Sequence, residues 1–186
     1  MIKNIVTVKT DNIEAIIGKE ELETILNKNL IDNPKKYVLI TISDPIIEDH
    51  SRKELDKKYS EKFKDVYYLK MWDITTETKK EDGLKLEEIS IKEIKNLSNF
   101  ILKNIDSKFI INCNAGISRS AGVGLLVEYL AGGYENLYQF KTSYEDVISK
   151  HFRYSPNLII LDKYEELNNQ EIKKIHQNFN IFDLID

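Results

Sequence analysis

The chain has 186 residues, 41% of them hydrophobic, which suits one domain with a real core. Its 27 Lys and Arg against 31 Asp and Glu give a net charge of -4, and because nucleic-acid-binding proteins carry basic patches, we expect no nucleic-acid partner. One cysteine, no apolar run of membrane-spanning length and an N-terminus interrupted by charge predict a soluble, cytoplasmic protein with no membrane segment, secretory signal or intrachain disulfide.

Apolar patterning predicts an alternation of strands and helices through the first two thirds of the chain. In order, the predicted elements are a strand over residues 3–8, a helical turn over 13–17, a helix over 20–30, strands over 37–43 and 66–72, a helix over 91–105, a strand over 108–112 and a helix over 118–131. Such alternation is typical of parallel strands joined by right-handed crossovers. The sequence therefore predicts a single α/β domain over residues 1–186, with a central, mostly parallel sheet of four or five strands flanked by helices.

Local signals mark two of these boundaries. Residues 37–43 form a continuous apolar run, typical of a strand buried on both faces of a parallel sheet, and Asp44-Pro45 ends it. Ser90, followed three residues later by Glu93, is a capping-box pattern at the head of the next predicted helix.

Residues 110–122 combine a strand end, a loop of small residues and the start of a helix. Cys113 lies at the strand exit, Gly116 lies in the loop, and Arg119 and Ser120 lie where the helix begins. The backbone N–H groups of such a loop can point inward, and the helix N-terminus adds a partial positive charge at the same point. We therefore expect an oxyanion to bind there, held through two oxygens by Arg119, with Cys113 below it as a nucleophile of lowered pKa.

This loop resembles the signature of the cysteine-dependent protein phosphatases, and its Ala-Gly-x-Ser-Arg-Ser core resembles the dual-specificity branch of the protein tyrosine phosphatase superfamily. The resemblance is strongest over residues 37–167. It implies a phosphatase-like fold, with Cys113 as the nucleophile, Arg119 as a catalytic ligand of the phosphoryl group and Ser120 as the hydroxyl that stabilises the thiolate. The phosphate-binding residues that it implies are Asn114, Ala115, Gly116, Ile117, Ser118 and Arg119.

Two asparagines bear on the same resemblance. The family usually has His before the cysteine, where it supports the loop and tunes the thiolate, but this chain has Asn112, which cannot carry a positive charge. Further on, Ser155 as a cap and Pro156 at the first helical position predict another helix. The resemblance implies that Asn157 orders the loop or the attacking water, and a polar residue in the first helical turn is the alternative reading.

Asp73 and Asp82 are both candidates for the general acid that the resemblance implies. Asp73 stands just past a predicted strand, where chemistry gathers in open α/β sheets, and Trp72 resembles the aromatic residue that precedes the acid in related phosphatases. Asp82 has the sequence spacing to the cysteine that is more usual in the family, although it lies in a charged, loop-like stretch. We prefer Asp73, and a solvated turn residue or helix cap is the alternative role for either aspartate.

The resemblance predicts a phosphomonoester hydrolase that acts on phosphotyrosine, and secondly on phosphoserine and phosphothreonine, in proteins through a phosphocysteine intermediate. No metal or cofactor is expected, because the loop amides and Arg119 would stabilise the charge of the transition state. Two alternatives stay open. The chain could be a phosphate-binding module with little turnover, which Asn112 supports, or a sulfur-transfer or arsenate-reducing enzyme with a similar loop.

Overall fold

Four parallel strands form the central sheet of the computed structural model, which describes residues 10–45, 58–74, 80–81, 84–132, 140 and 154–178. In chain order the strands are β1 (Ile13–Gly18), β2 (Tyr37–Ser43), β3 (Asp65–Lys70), β4 (Lys80–Glu81), β5 (Leu84–Lys85) and β6 (Lys108–Cys113). The sheet has the order β1, β6, β2, β3, and β4 and β5 form a separate antiparallel pair. The helices are α1 (Lys19–Asn27), α2 (Ile91–Lys103), α3 (Arg119–Ala131) and α4 (Ile159–Asn178). This arrangement confirms the predicted α/β class with a parallel central sheet.

The prediction of a helical turn over residues 13–17 is wrong, because this segment is the strand β1. All of its residues are buried, and it runs parallel to β6 with Gly18 opposite Cys113. β-Branched isoleucines lose side-chain freedom in a helix and pack well on a pleated sheet, so this Ile-rich run is more stable as a buried strand. The strand predicted over residues 3–8 lies outside the described residues.

Apolar clusters cover both faces of the sheet. On one face, α2, α3 and α4 pack against alternate strand residues such as Ile111. On the other face, α1 packs together with Tyr59 and Phe63 against the intervening Ile110. Because successive strand residues point to opposite faces, Cys113 shares the face of Ile111 and the three helices.

Two helices begin close to their predicted positions. α2 follows Ser90, whose hydroxyl oxygen accepts a hydrogen bond from the Glu93 N–H at 3.1 Å. α3 begins at Arg119, and its first nine residues are all buried, as expected of a helix at the centre of a domain. Within the described residues, no helix combines the length and the apolar composition that crossing a membrane requires.

α4 begins at Ile159, later than the predicted first helical position, Pro156. The Ser155 N–H donates instead to the carbonyl oxygen of Ile117 at 3.2 Å, and the Asn157 N–H donates to that of Ser118 at 3.1 Å. These long-range bonds hold the segment beside the loop that follows β6. At this helix end, the long-range backbone hydrogen bonds therefore outweigh the local capping signals.

The parallel sheet gathers the predicted site at one edge, because the carboxyl ends of parallel strands lie together. Gly18 and Cys113 end β1 and β6, Asp44 directly follows β2, and Asp73 follows β3 by three residues. The described geometry thus explains why residues far apart in sequence meet.

Candidate active site

The loop of residues 114–118, here called the Cys113 loop, is shaped by contact with the end of β1. Gly116 has a φ of +71°, and a Cβ at this position would lie 2.3 Å from the Gly18 nitrogen. Both the conformation and the space require glycine. The Lys19 N–H donates to the Asn114 carbonyl oxygen at 3.1 Å, which joins the first residue of α1 to the same loop.

Cys113 is buried and surrounded by hydrogen-bond donors. Its Sγ accepts a hydrogen bond from the Gly116 N–H at 3.3 Å and lies 3.2 Å from the Ser120 hydroxyl. Burial is the largest single influence and raises the pKa of the thiol, but bonds from the Ser120 side chain and from the N–H groups of Ser120, Gly116 and Ile117 outweigh it together. The pKa of Cys113 is therefore lowered, and Ser120 contributes to that shift.

The Arg119 side chain forms hydrogen bonds through Nη1 but none through Nε. Its side chain is only 5% exposed, and Nη1 donates to Asp44 Oδ1 at 2.6 Å and to the Met71 carbonyl oxygen at 3.0 Å. Nε is buried without a hydrogen-bond partner, and Asp73 Oδ2 lies 3.8 Å from it. Because buried donors in proteins are nearly always paired, this nitrogen marks a place where a bound oxyanion can accept a hydrogen bond.

Asp73 stands beside the Cys113 loop with its side chain 44% exposed. Its Oδ1 accepts hydrogen bonds from the Ser118 hydroxyl at 2.6 Å and from Asn157 Nδ2 at 3.3 Å. The structure thus brings Asp73 next to Arg119, within reach of a group bound at the loop. The competing candidate, Asp82, lies outside the described residues.

Asn157 is buried and connects the segment of Asp73 to two helices. Its Nδ2 also donates to the Ile74 carbonyl oxygen at 2.8 Å, and its Oδ1 accepts from the Ile159 N–H at 3.2 Å at the start of α4. A Cβ on Gly122 of α3 would lie 2.4 Å from the Asn157 carbonyl oxygen, so the two backbones are in close contact. Asn157 precedes the helix rather than lying in its first turn.

Asn112 is buried on β6 opposite Thr41 of β2, and its Oδ1 has no hydrogen-bond partner. Among the described residues, this oxygen and Arg119 Nε are the buried side-chain polar atoms without partners. Asn112, Arg119 and Cys113 all line one cavity of about 110 Å³ at the carboxyl edge of the sheet. The unpaired atoms therefore belong to residues of the same polar cavity.

Sequence reasoning misses several residues of this cavity, and those with ionisable side chains are Asp44, Lys19 and Tyr59. Asp44 directly follows a buried parallel strand, and the rule that favours Asp73 could have found it. Lys19 follows the segment that was predicted as a helical turn, so no signal pointed to it. Burial, and secondly the charge of Glu23, raise the pKa of Tyr59 to about 12, so its hydroxyl is neutral at ordinary pH.

Positive charge at the site comes from Arg119, Lys19 and the N-terminus of α3. In the part of the chain that the structure describes, no group of three or more His, Cys, Asp or Glu side chains could hold a metal ion. An oxyanion at the site would meet Arg119 and the N–H groups of the Cys113 loop.

No protein-family model matches the sequence, and no curated protein matches it significantly. Among solved structures, Tk-PTP in its active form covers 83% of this chain and 89% of its own, with 15% identity and a TM-score of 0.50. The human tyrosine phosphatase-like serine/threonine/tyrosine-interacting protein covers 84% and 87%, with 16% identity and a TM-score of 0.48. The core catalytic domain of the PP-IP phosphatase SIW14 from S. cerevisiae covers 94% and 96%, with 16% identity and a TM-score of 0.42. The match to Tk-PTP confirms at the level of the fold what the Cys113 loop predicts: this chain has a tyrosine-phosphatase-like fold.

Proposed function

We propose that this chain is a cysteine-dependent hydrolase of phosphomonoesters, acting on phosphotyrosine and secondly on phosphoserine and phosphothreonine in proteins. The observation that carries the proposal is the Arg119 side chain, whose Nη1 is held by two hydrogen bonds while the buried Nε has no hydrogen-bond partner. The Cys113 loop joins Arg119 to Cys113, whose thiol has a lowered pKa. Within this loop, the Gly116 N–H donates a hydrogen bond to the Cys113 sulfur. A tetrahedral phosphoryl group fits these donors because its oxygens accept several hydrogen bonds at once.

In the first step, the Cys113 thiolate attacks phosphorus in line with the leaving oxygen. The S–P bond forms as the P–O bond to the alcohol breaks, and Asp73 gives its proton to the departing oxygen. Arg119 and the loop N–H groups stabilise the equatorial oxygens, which carry much of the charge in the transition state. The products of this step are the free alcohol and a phosphocysteine.

In the second step, water attacks the phosphocysteine from the side that the alcohol has left. Asp73, now a carboxylate, takes a proton from the water as the O–P bond forms, and the S–P bond breaks to release inorganic phosphate. Cys113 returns as the thiolate that Ser120 and the loop amides stabilise. The electron pair of the broken bond stays on sulfur, so the cycle needs no external reductant.

The proposed setting is the cytoplasm, with a phosphorylated protein as the partner and residues 1–186 as one catalytic domain. The sequence holds one cysteine, so Cys113 has no second thiol in the chain with which to form a disulfide. A reducing compartment keeps such a thiol available as a nucleophile.

The second candidate function is phosphate binding with little turnover. Asn112 supports it, since a neutral amide replaces the residue that can be cationic in the resembling family.

Hydrolysis of a generic aryl phosphate, measured from about pH 5 to pH 8, tests the proposal. We expect turnover in the native chain, its loss in Cys113→Ser and a large fall in Asp73→Asn, with Asp82→Asn as the variant of the competing acid. Because the thiolate reacts, kcat/KM should fall on the acid side of the profile as the pH drops below the Cys113 pKa, which is lower than that of an ordinary thiol. Binding of phosphate or vanadate without turnover would instead establish the phosphate-binding module.

A further inference from the structure

Ser118 directly precedes α3, and its hydroxyl takes no part in the helix that it precedes. A serine at this position usually accepts a hydrogen bond from an N–H group in the first helical turn. The Ser118 side chain forms no such bond, although its carbonyl oxygen accepts from the Gly122 N–H at 2.9 Å. The hydroxyl donates instead to Asp73 Oδ1 at 2.6 Å. Ser118 therefore contacts the segment that follows β3 rather than capping its own helix.

The second hydrogen bond to Asp73 Oδ1 comes from a group that can only donate. Asn157 Nδ2 lies 3.3 Å from this oxygen and also donates to the Ile74 carbonyl oxygen at 2.8 Å. The other end of the amide, Asn157 Oδ1, accepts from the Ile159 N–H at 3.2 Å. Because a carbonyl oxygen cannot donate and an N–H group cannot accept, these two backbone partners fix the orientation of the amide. Asp73 Oδ1 is therefore an acceptor in both the ionised and the protonated carboxyl group.

The other oxygen of Asp73 lies next to the place where a phosphoryl group would bind. Oδ2 is 3.8 Å from Arg119 Nε, which is buried and has no hydrogen-bond partner. Since Ser118 and Asn157 occupy both lone pairs of Oδ1, a proton on this carboxyl group belongs to Oδ2. The two donors to Oδ1 thus leave the proton on the oxygen nearer to Arg119 Nε.

Resting on the proposed hydrolase function, we infer that Ser118 is a positioning residue, which holds Asp73 so that Oδ2 delivers the proton to the leaving oxygen. As the S–P bond forms at Cys113 and the P–O bond breaks, the Oδ2–H bond breaks and its proton binds the departing oxygen. In the second step Oδ2 takes a proton from the attacking water, while Oδ1 keeps its two donors. In this role the Ser118 hydroxyl acts through Asp73 and makes no bond to the phosphoryl group.

Hydrolysis of a series of aryl phosphates by the native chain, Ser118→Ala and Ser118→Thr tests the inference. For poor leaving groups, kcat/KM should fall about three- to tenfold in Ser118→Ala, since one partly exposed hydrogen bond is lost. For strongly acidic phenols, which leave without a proton, the loss should vanish. Ser118→Thr should keep the native rates, because threonine retains the hydroxyl. Ser98→Ala is the matched control, because it removes a serine hydroxyl that donates to the Ile94 carbonyl oxygen within α2.

Two further measurements show whether Ser118 acts through Asp73. In chains that already carry Asp73→Asn, adding Ser118→Ala should cause no further loss, because the group that it positions no longer gives a proton. Trp72 is the only tryptophan in the sequence and directly precedes Asp73, so acrylamide quenching of its fluorescence reports on this segment without turnover. Quenching should increase in Ser118→Ala and match the native chain in Ser118→Thr and in Ser98→Ala.

A loss in Ser118→Ala that is equal for all leaving groups, or that persists beside Asp73→Asn, overturns the inference, because the hydroxyl would then contact the phosphoryl group itself. Native rates on poor leaving groups in Ser118→Ala, or unchanged quenching of Trp72, also overturn it. A native chain that hydrolyses none of the aryl phosphates loses the proposed hydrolase function, and the quenching alone then decides whether Ser118 holds Asp73.

Discussion

The two ends of β3 each carry an aspartate, and the surroundings of the two carboxylates differ. Asp65, the first residue of the strand, accepts hydrogen bonds from three donors, and Asp73, just past the last residue, stands beside a buried donor that has no hydrogen bond. The donors to Asp65 are the Val66 N–H, Lys103 Nζ and Asn104 Nδ2, at 3.0 to 3.1 Å. These hydrogen bonds join β3 to the end of α2, and all of them are formed between protein groups, without a ligand.

At the carboxyl end of β3, one polar group beside Asp73 has no hydrogen-bond partner. Ser118 and Asn157 donate to its Oδ1, yet the neighbouring Nε of Arg119 has only an ion-pair contact at 3.8 Å. Leaving a buried polar group unpaired costs about 1–3 kcal/mol, so a ligand that pairs it recovers this energy on binding. The surroundings of the two aspartates thus differ in an unsatisfied buried donor, more than in the number of charges, and such a donor is what a bound ligand would satisfy.

The largest effect on activity is expected for Asp73→Asn. On a phosphate ester with a poor leaving group, kcat/KM should fall about 100- to 10,000-fold, because the oxygen must leave without a proton. On an aryl phosphate whose phenol is strongly acidic the loss should be much smaller, since that phenolate leaves unaided. Asp65→Asn is the matched control, as the same change at the other end of the same strand. Rates across a series of aryl phosphates measure the effect, and a loss that does not depend on the leaving group would contradict the acid role.

A smaller effect is expected for Asp44→Asn, because Asp44 contacts Arg119 but transfers no proton. Nη1 keeps the Met71 carbonyl oxygen and loses one charge-assisted bond, and since Asp44 is half-exposed we expect about a tenfold loss in kcat/KM. The loss should be the same for good and poor leaving groups, should be accompanied by weaker phosphate binding, and should be partly restored by Asp44→Glu. The same series of aryl phosphates separates the two aspartates. If Asp44→Asn is also most damaging with poor leaving groups, Asp44 is more than a positioning residue.

Much of this fold is predictable from local sequence. β2 spans Tyr37–Ser43 as predicted, because a continuous apolar run ends sharply at Asp44-Pro45. Arg119 begins α3 one residue from the predicted start, because small residues separate a buried strand from a helix there. The rule for the carboxyl ends of parallel strands, which needs only the order of the elements, predicts that Asp73 lies at this end of the sheet, and it does.

Other features depend on contacts that local sequence does not encode. The sequence predicts a helical turn for β1, because its short apolar run does not alternate, and the pairing with β6 that makes it a buried strand is not visible locally. The start of α4 depends on the bonds from Ser155 and Asn157 to the Cys113 loop, nearly forty residues earlier in the chain. The partnership of Asp44 with Arg119 likewise requires β2 and β6 to be neighbours, and it follows from topology rather than from spacing.

The smallest effect is expected for Asp65→Asn, which tests the structural half of the comparison. Burial is the largest influence on Asp65 and raises its pKa, but the bonds from Lys103, Asn104 and Val66 outweigh it, so the pKa is lowered. A lowered pKa means that the carboxylate contributes stability above its unfolded-state pKa and loses that contribution as the pH falls through its folded-state pKa. Since the Lys103 side chain is largely exposed and screened, the free energy of unfolding should fall by only about 0.5–1 kcal/mol at neutral pH.

This contribution is the difference in the free energy of unfolding between the native chain and Asp65→Asn, and urea unfolding measures it from neutral pH downward. The difference between the two should begin to shrink once the pH falls below about 4, the pKa of an aspartate in the unfolded chain. It should be lost below the lowered pKa of folded Asp65, where both chains carry a neutral group, and it should also shrink in high salt. Aryl phosphate hydrolysis should match the native rate throughout, because Asp65 lies at the amino edge of the sheet, away from Cys113. A loss of activity without a loss of stability would mean that the two ends of β3 are coupled, and that the division between a structural and a functional aspartate is wrong.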